Sequence, residues 1–448
     1  MVRGRALRFR VAMSALWLAS QGLGCGTPEP PPHVVLVVID TLRADHLNSY
    51  GYDLPTSRKL ERLAARGLMF RSAYASGSST ATSIPTLLAS RFPSELSGRL
   101  AADGPAELTL SEAFQRAGYQ TVGYQANFAL LAELGYSRGF DDYHVLKVRR
   151  EGSWRYRRAA EIHDECRRFL ERRDARPFFL YVQTMDVHVP HDPHPRFKDR
   201  VHPAKPRSGA VPAGIDLDPT ALATFALFMD ALDRKAYDEE VAYATHEFVR
   251  FYGMLRRFDL LEDTLVVLTA DHGEPLGEHG HAMHGLALYE EQVHVPLMLW
   301  MPGYPPGERA GIVSLLDLAP TILDLAGLPI PSSFRGQSWA GSPSQIALGE
   351  RVKTTSRVPV GAFVRHGPWK LITGPQGQEL YDLRIDPDEA TNVRDAYPIL
   401  TEYLIQELIA HIPYHRGLGR KPVRFDAGLS PRAQRELHES LRALGYLE

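Results

Sequence analysis

Four places in the 448-residue chain put reactive side chains where chemistry could use them. Asp40 follows the apolar run Val34-Val35-Leu36-Val37-Val38-Ile39, and Asp271-His272 follows Leu265-Val266-Val267-Leu268-Thr269-Ala270. Asp186 and His188 lie just beyond Phe178-Phe179-Leu180-Tyr181-Val182, and a hydroxyl-rich stretch runs from Ser76 to Pro85. Carboxylates with one imidazole are ligand types for a divalent cation. A single aspartate after a strand has a plainer explanation as a cap of the next helix. Asp-His-Gly after one β-run, with aspartate after another, favours a metal. The apolar pattern running from the hydroxyl stretch through Leu87-Leu88-Ala89 predicts a helix. Its amino end would offer N–H groups and a positive dipole end to a sulfate or phosphate. Residue types alone do not choose a nucleophile among these hydroxyls, and a helix cap in a hydroxyl-rich loop is their plainer explanation.

The elements that must hold these groups follow from periodicity. Unbroken β-branched and apolar runs belong to strands buried on both faces, as in parallel sheets. Between them lie an Arg-rich helical stretch before Phe178 and an amphipathic helix over about 239–258. Strands alternating with helices predict an α/β fold, a large doubly wound and mostly parallel sheet with helices on both faces. Ligands in such sheets bind outside the carboxyl ends of the strands, where three remote segments here deliver acids and histidines. Beyond about Ser333, short strands at 362–365, 369–372 and 379–383 and a helix over 398–411 predict a small C-terminal α+β subdomain. The expected division is 1–32 as leader and Pro-rich linker, 33–332 as catalytic domain and 333–448 as subdomain. The stretch 188–218 is expected to be a loop over the site mouth.

The amino terminus predicts export. Arg3, Arg5, Arg8 and Arg10 precede the apolar run 11–19, and small residues lead to Cys25 and the prolines at 28–32. The run is shorter than the roughly 20 residues a spanning helix needs. Gly24-Cys25 resembles a bacterial lipoprotein box, although Gly22 stands where that box prefers a branched aliphatic. It implies a periplasmic or cell-envelope protein anchored by lipid at Cys25. Only Cys166 would then remain, read as a helix-face residue. A net charge of -2, with no run of Lys and Arg interleaved with aromatics, argues against a nucleic-acid partner.

Val38-Ile39-Asp40-Thr41-Leu42-Arg43-Ala44-Asp45-His46-Leu47 resembles the opening metal motif of the sulfatase family, in the alkaline-phosphatase-like superfamily. Leu63-Ala64-Ala65-Arg66-Gly67, the stretches 269–280 and 289–302, Leu316-Asp317-Leu318-Ala319-Pro320-Thr321 and the closing 441–446 are similar to its later landmarks. The resemblance covers nearly all of 33–448. It implies Asp40, Asp271 and His272 as metal ligands, with Thr41 where many members have a second Asp ligand. His188 matches a histidine contacting the transferred group, and His284 falls where a Lys or His stands near the leaving-group oxygen.

The departures bear on the chemistry. Sulfatases carry Cys or Ser followed by x-Pro-Ser-Arg, and oxidise the first residue to formylglycine. Here that position is Thr80, with Thr82 for the Pro, Ser83 retained and Ile84 for the Arg. Threonine cannot become that aldehyde. The family's Lys-x-His pair is replaced by Ala126-Asn127-Phe128. A Thr nucleophile beside Asp and His ligands is similar to the phosphodiesterases, phosphonate hydrolases and phosphoethanolamine transferases of the superfamily.

The resemblance therefore implies a hydrolase of sulfate or phosphate esters acting through a metal-bound Thr80, with His188 and His284 catalytic and Asn127 and Ser83 binding substrate. One divalent cation is expected. Zn²⁺ or Mn²⁺ suits the ligands better than Ca²⁺ or Mg²⁺, and His279 and His281 are candidates for a second metal. The substrate would be a sulfated or phosphorylated small molecule, glycan or lipid. The competing expectations are an envelope phosphoryl-head-group transferase and a non-catalytic binding lipoprotein of the same fold.

Overall fold

The computed structural model describes residues 32–96, 100, 108–150, 153–202, 233–340, 344–352 and 359–412. The leader with Cys25, the far half of the 188–218 loop and the closing 441–446 motif lie outside the described residues.

The three apolar runs form adjacent strands. β1 (His33–Ile39) lies between β7 (Phe178–Thr184) and β8 (Thr264–Thr269), parallel to both. Outward from β7 run β3 (Gln120–Gln125) and β4 (Asp142–Val145). Outward from β8 run β9 (His294–Trp300), β2 (Leu68–Tyr74) and β10 (Gly307–Ser314), in an eight-stranded sheet ordered β10-β2-β9-β8-β1-β7-β3-β4. β9 runs against both its neighbours, and every other pairing in the sheet is parallel. A hairpin of β5 (Lys147–Arg150) and β6 (Ser153–Tyr156) follows β4.

Helices α1 (Arg58–Ala64), α4 (Ala159–Arg172) and α5 (Arg234–Arg257) pack together, as do α2 (Thr80–Ala89), α3 (Leu110–Arg116) and α7 (Leu318–Leu325). With both faces covered, Val34 to Ile39 are at most 1% exposed, which is why that strand carries no polar alternation. Helix α5 starts at Arg234, before the expected 239, because Asp233 caps it, accepting from the Ala236 N–H. Between α5 and α7 lies the short helix α6 (Glu290–Val293). Cys166 is buried on α4, as a helix-face residue should be.

The C-terminal part is a four-stranded antiparallel sheet of β11 (Ile346–Val352), β12 (Pro359–His366), β13 (Trp369–Gly374) and β14 (Gly377–Asp382). Helix α8 (Pro398–His411) packs on β12 and β13 through Leu400, Leu404 and Leu408. The small sheet joins the large one where β11 meets β10, and the Glu350 N–H donates to the Ser76 carbonyl at 2.9 Å.

Candidate active site

Strand register assembles the centre. Val38 pairs with Thr269, so two residues further on Asp40 and Asp271 emerge side by side at the carboxyl edge. The chain turns sharply at both exits. Thr41 takes a left-handed backbone (φ 57°), uncommon for a β-branched residue, and the Tyr237 hydroxyl holds it by donating to its carbonyl at 2.8 Å. After His272, a Cβ on Gly273 would lie 2.1 Å from the Glu291 carbonyl oxygen, so only glycine fits there.

Asp40, Asp271 and His272 are fully buried, and each offers a ligand atom within 4.8 Å of the others. Asp40 Oδ2 accepts from Gln183 Nε2 at 2.8 Å and Asn127 Nδ2 at 2.7 Å, while Asp40 Oδ1 and Asp271 Oδ2 have no hydrogen-bond partner among the described residues. His272 Nδ1 faces the Gly273 carbonyl at 2.9 Å, which places its hydrogen there and leaves Nε2 to ligate. Burial, and then the neighbouring Asp40, hold the Asp271 carboxyl well above the ordinary aspartate range. Burial keeps His272 below the usual histidine value, in the neutral form a metal requires. Two buried carboxylates with orphaned oxygens beside a neutral imidazole fit a divalent cation.

Thr80 begins α2 and turns its hydroxyl into this cluster, with Oγ1 3.3 Å from Asp40 Oδ2 and 3.3 Å from His272 Nε2. Asn127 Nδ2 donates to it at 3.1 Å. The loop before the helix is tight, since a Cβ on Gly77 would lie 2.3 Å from Thr82 Oγ1. Pro85 sits in the second turn of α2, so the helical bond to the Ala81 carbonyl is lost.

The structure gathers Asp40, Thr80, Asn127, Asp271 and His272 into one cluster. Thr41 lies beside it, its hydroxyl donating to the Asp40 carbonyl at 2.8 Å. The Ser83 hydroxyl donates to the Gly77 carbonyl at 2.8 Å and braces the loop. His188 and His284 stand together, with ring centroids 4.9 Å apart, and His284 lies 4.6 Å from the His272 ring. His279 stacks on Tyr289 at 3.7 Å and lies 3.2 Å from Glu291.

Two participants escape a reading by residue type. Gln183 sits within an apolar strand, and its polarity there was the only signal. Glu274 is fully buried, with Oε1 2.8 Å from His284 Nδ1 and Oε2 without a partner among the described residues. Burial raises its pKa, but His284, His188 and His272 together bring it below the ordinary glutamate value. Its position two residues after His272, in the same strand-end loop, was the available signal.

Sheet order and strand-end cluster define an alkaline-phosphatase-like α/β protein. A sulfatase family model matches residues 32–328, and the chain belongs to that family, whose members depend on a metal. A second model, described as N-sulphoglucosamine sulphohydrolase, C-terminal, matches residues 277–412. The chain is 34% identical to arylsulfatase K of Mus musculus over 178 residues, which is 36% of this chain and 32% of that protein. It thus matches about a third of the length of such curated relatives. Among solved structures, it resembles one in complex with its substrate D-glucosamine-2-N,6-O-disulfate (TM-score 0.68, 20% identity, 86% of this chain and 98% of that one). It also resembles a phosphonate monoester hydrolase of Agrobacterium radiobacter (TM-score 0.66, 20% identity, 86% of this chain and 96% of that one).

Proposed function

We propose that the chain hydrolyses esters of sulfuric or phosphoric acid with Thr80 as nucleophile, phosphate and phosphonate esters being the favoured class. The observation that carries this is the Thr80 hydroxyl, within 3.3 Å of both Asp40 Oδ2 and His272 Nε2 at the start of a helix. A threonine there cannot follow the formylglycine route, and an unassisted threonine hydroxyl is a weak nucleophile. A divalent cation held by Asp40, Asp271 and His272 would lower the pKa of that hydroxyl and neutralise charge on the transferred group.

The chain's own groups supply the rest. Asp40 accepts the Thr80 proton at Oδ2, and the freed oxygen attacks phosphorus to form a Thr–O–P bond as the ester oxygen departs. His284, oriented through Nδ1 by Glu274, gives its proton to that oxygen from Nε2. Asn127 and the amino end of α2 stabilise charge on the transferred group, and His188, packed against His284, is a further donor to it. Water then attacks the phospho-threonine, giving a proton to His284, and the Thr80 oxygen departs with the proton returned by Asp40. The names of the similar proteins, an arylsulfatase and a phosphonate monoester hydrolase, support this range of substrates. Export and a lipid anchor at Cys25 are proposed on the leader sequence alone. No helix among the described residues is long and apolar enough to cross a membrane.

The test compares turnover of aryl sulfate, aryl phosphate monoester and aryl phosphodiester by zinc-loaded protein. Thr80→Ala should lose at least about 10³-fold, Thr80→Ser should retain activity, and mass spectrometry should trap phosphate on Thr80. Sulfate turnover that survives Thr80→Ala would refute the nucleophile.

A further inference from the structure

We propose that Glu240 is a positioning residue for His188, fixing the loop that carries it against the turn of α5 that also holds the loop after β1. The turn is Tyr237-Asp238-Glu239-Glu240, and all four side chains are at most 1% exposed. Four consecutive residues at about 3.6 per turn point to every side of a helix, so the start of α5 is enclosed all round. Each polar head meets one of two loops, the one after β1 or the one after β7. The Tyr237 hydroxyl donates to the Thr41 carbonyl at 2.8 Å and accepts the Arg43 N–H at 2.9 Å. Asp238 Oδ1 lies 2.6 Å from His46 Nδ1, and its Oδ2 lies 2.6 Å from His202 Nε2. Glu239 Oε1 accepts the Asp199 N–H at 2.7 Å. Glu240 takes the stretch nearest His188. Its Oε2 lies 2.7 Å from His191 Nδ1, and its Oε1 accepts the Asp192 N–H at 2.6 Å.

Three buried carboxylates in succession are costly unless each is hydrogen-bonded, and here the partners that satisfy them are two loops of the site. One turn of helix therefore sets the spacing between the loop that Asp40 opens and the loop that bears His188. His188 is held locally only at short range, its N–H reaching the Met185 carbonyl at 3.2 Å and its Nδ1 facing the Val189 carbonyl. On one side Val189 packs with Ala282 and Met283, next to His284. On the other, Glu240 closes the loop three and four residues further on. Arg158 fastens the same Asp192, at 2.8 Å from its carbonyl and 2.7 Å from its carboxylate. Releasing the Glu240 end frees the His188 ring to leave its place 4.9 Å from the His284 ring. A tether that served stability alone would cost the same whatever residue stood at 188. The catalytic consequence rests on His188 acting as a donor in the hydrolysis above, and the clamp itself does not.

The test is a double-mutant cycle on an aryl phosphodiester. Glu240→Ala should lower kcat by about 10- to 10²-fold with little change in KM, the scale of a displaced catalytic group, and Glu240→Gln should recover most of it. The double replacement should be no slower than His188→Ala alone, because Glu240 acts through that ring. A second readout needs no turnover. Carbethoxylation of the half-buried His188 by diethyl pyrocarbonate, mapped by mass spectrometry, should run several-fold faster in Glu240→Ala. If Glu240→Ala does not fold, His191→Gln, which loosens one of the two bonds, carries both measurements. Losses that add in the double variant, or an unchanged modification rate, would overturn the positioning role. If His188→Ala turned over at the wild-type rate, the donor role of His188 in the hydrolysis would fall, and the modification rate alone would decide whether Glu240 holds the ring.

Discussion

The side-chain amide nitrogen of Asn127 lies 3.1 Å from the Thr80 hydroxyl oxygen, and the same nitrogen lies 2.7 Å from Asp40 Oδ2. The amide orientation is set from behind, because Asn127 Oδ1 accepts the Ala129 N–H at 2.8 Å. A donor that touches both the candidate nucleophile and a candidate metal ligand fixes where the Thr80 lone pairs point. Asn127→Ala should reduce kcat by about 10²-fold, the scale of losing one preorganised donor, with a smaller change in KM. Steady-state kinetics on an aryl phosphodiester checks this. Asn127→Asp should be worse, since it sets a second carboxylate against Asp40.

Asp271 sets the response to metal. In chelator it faces Asp40 in a buried site, so Asp271→Asn should melt at or above the wild-type temperature. With zinc at about 100 times its Kd, wild type should gain about 2.7 kcal/mol, and the variant should gain little. Thermal melts of both proteins with chelator and with zinc decide it. Equal zinc stabilisation of the two would remove Asp271 from the ligand set.

The strand-end acids were legible because a buried parallel strand is an unbroken apolar run, and the first polar residue after it marks the sheet edge. Asp40 and Asp271-His272 needed nothing more. Thr80 was not separable from Ser78, Ser79 or Ser83 by residue type, since what distinguishes it is a strand-end register 40 residues away. Glu274 was passed over because a glutamate in a polar loop is normally solvated, and only the fold buries it against His284. The direction of β9 was hidden for another reason. An apolar run such as Val295 to Trp300 reads alike in parallel and antiparallel pairings. β11 lacks a full apolar run, and Glu350 within it is buried at the junction with the large sheet.

Asp186 gives the fold a pH dependence. It is 1% exposed, its Oδ2 accepts the Ala159 N–H at 2.9 Å, and burial raises its pKa to about 7 from 3.8. Between those values the folded state holds more protons than the unfolded chain, so this group's contribution to stability falls as pH rises from about 4 to about 7. A shift of roughly three units sets an upper bound of about 4 kcal/mol on the loss. Asp186→Asn keeps an acceptor for Ala159 without carrying a charge. Its stability relative to wild type should therefore improve between pH 5 and pH 8, which urea titrations at the two pH values measure. An unchanged difference would mean that Asp186 is ionised at both.

Lys370 joins the two sheets. Its ammonium is fully buried, 2.9 Å from Glu290 Oε1 and 3.0 Å from Glu389 Oε1. Glu290 begins α6, four residues before β9, while Lys370 lies on β13, so one cation ties the small sheet to the segment that follows the site loop. Glu290 Oε2 also lies 3.1 Å from the Tyr74 hydroxyl at the end of β2. Removing the lysine leaves the buried Glu389 carboxylate and the partly buried Glu290 carboxylate without their cation, which is the costly way to break a buried pair. Lys370→Met should destabilise the protein by about 3–5 kcal/mol, read from denaturant unfolding. The double replacement Glu290→Gln with Lys370→Met should recover part of that, because one orphaned charge is gone. If Lys370→Met alone were neutral, the two sheets would be held by their apolar contacts, through Tyr74, Phe363 and Ile372, without help from the ion pairs.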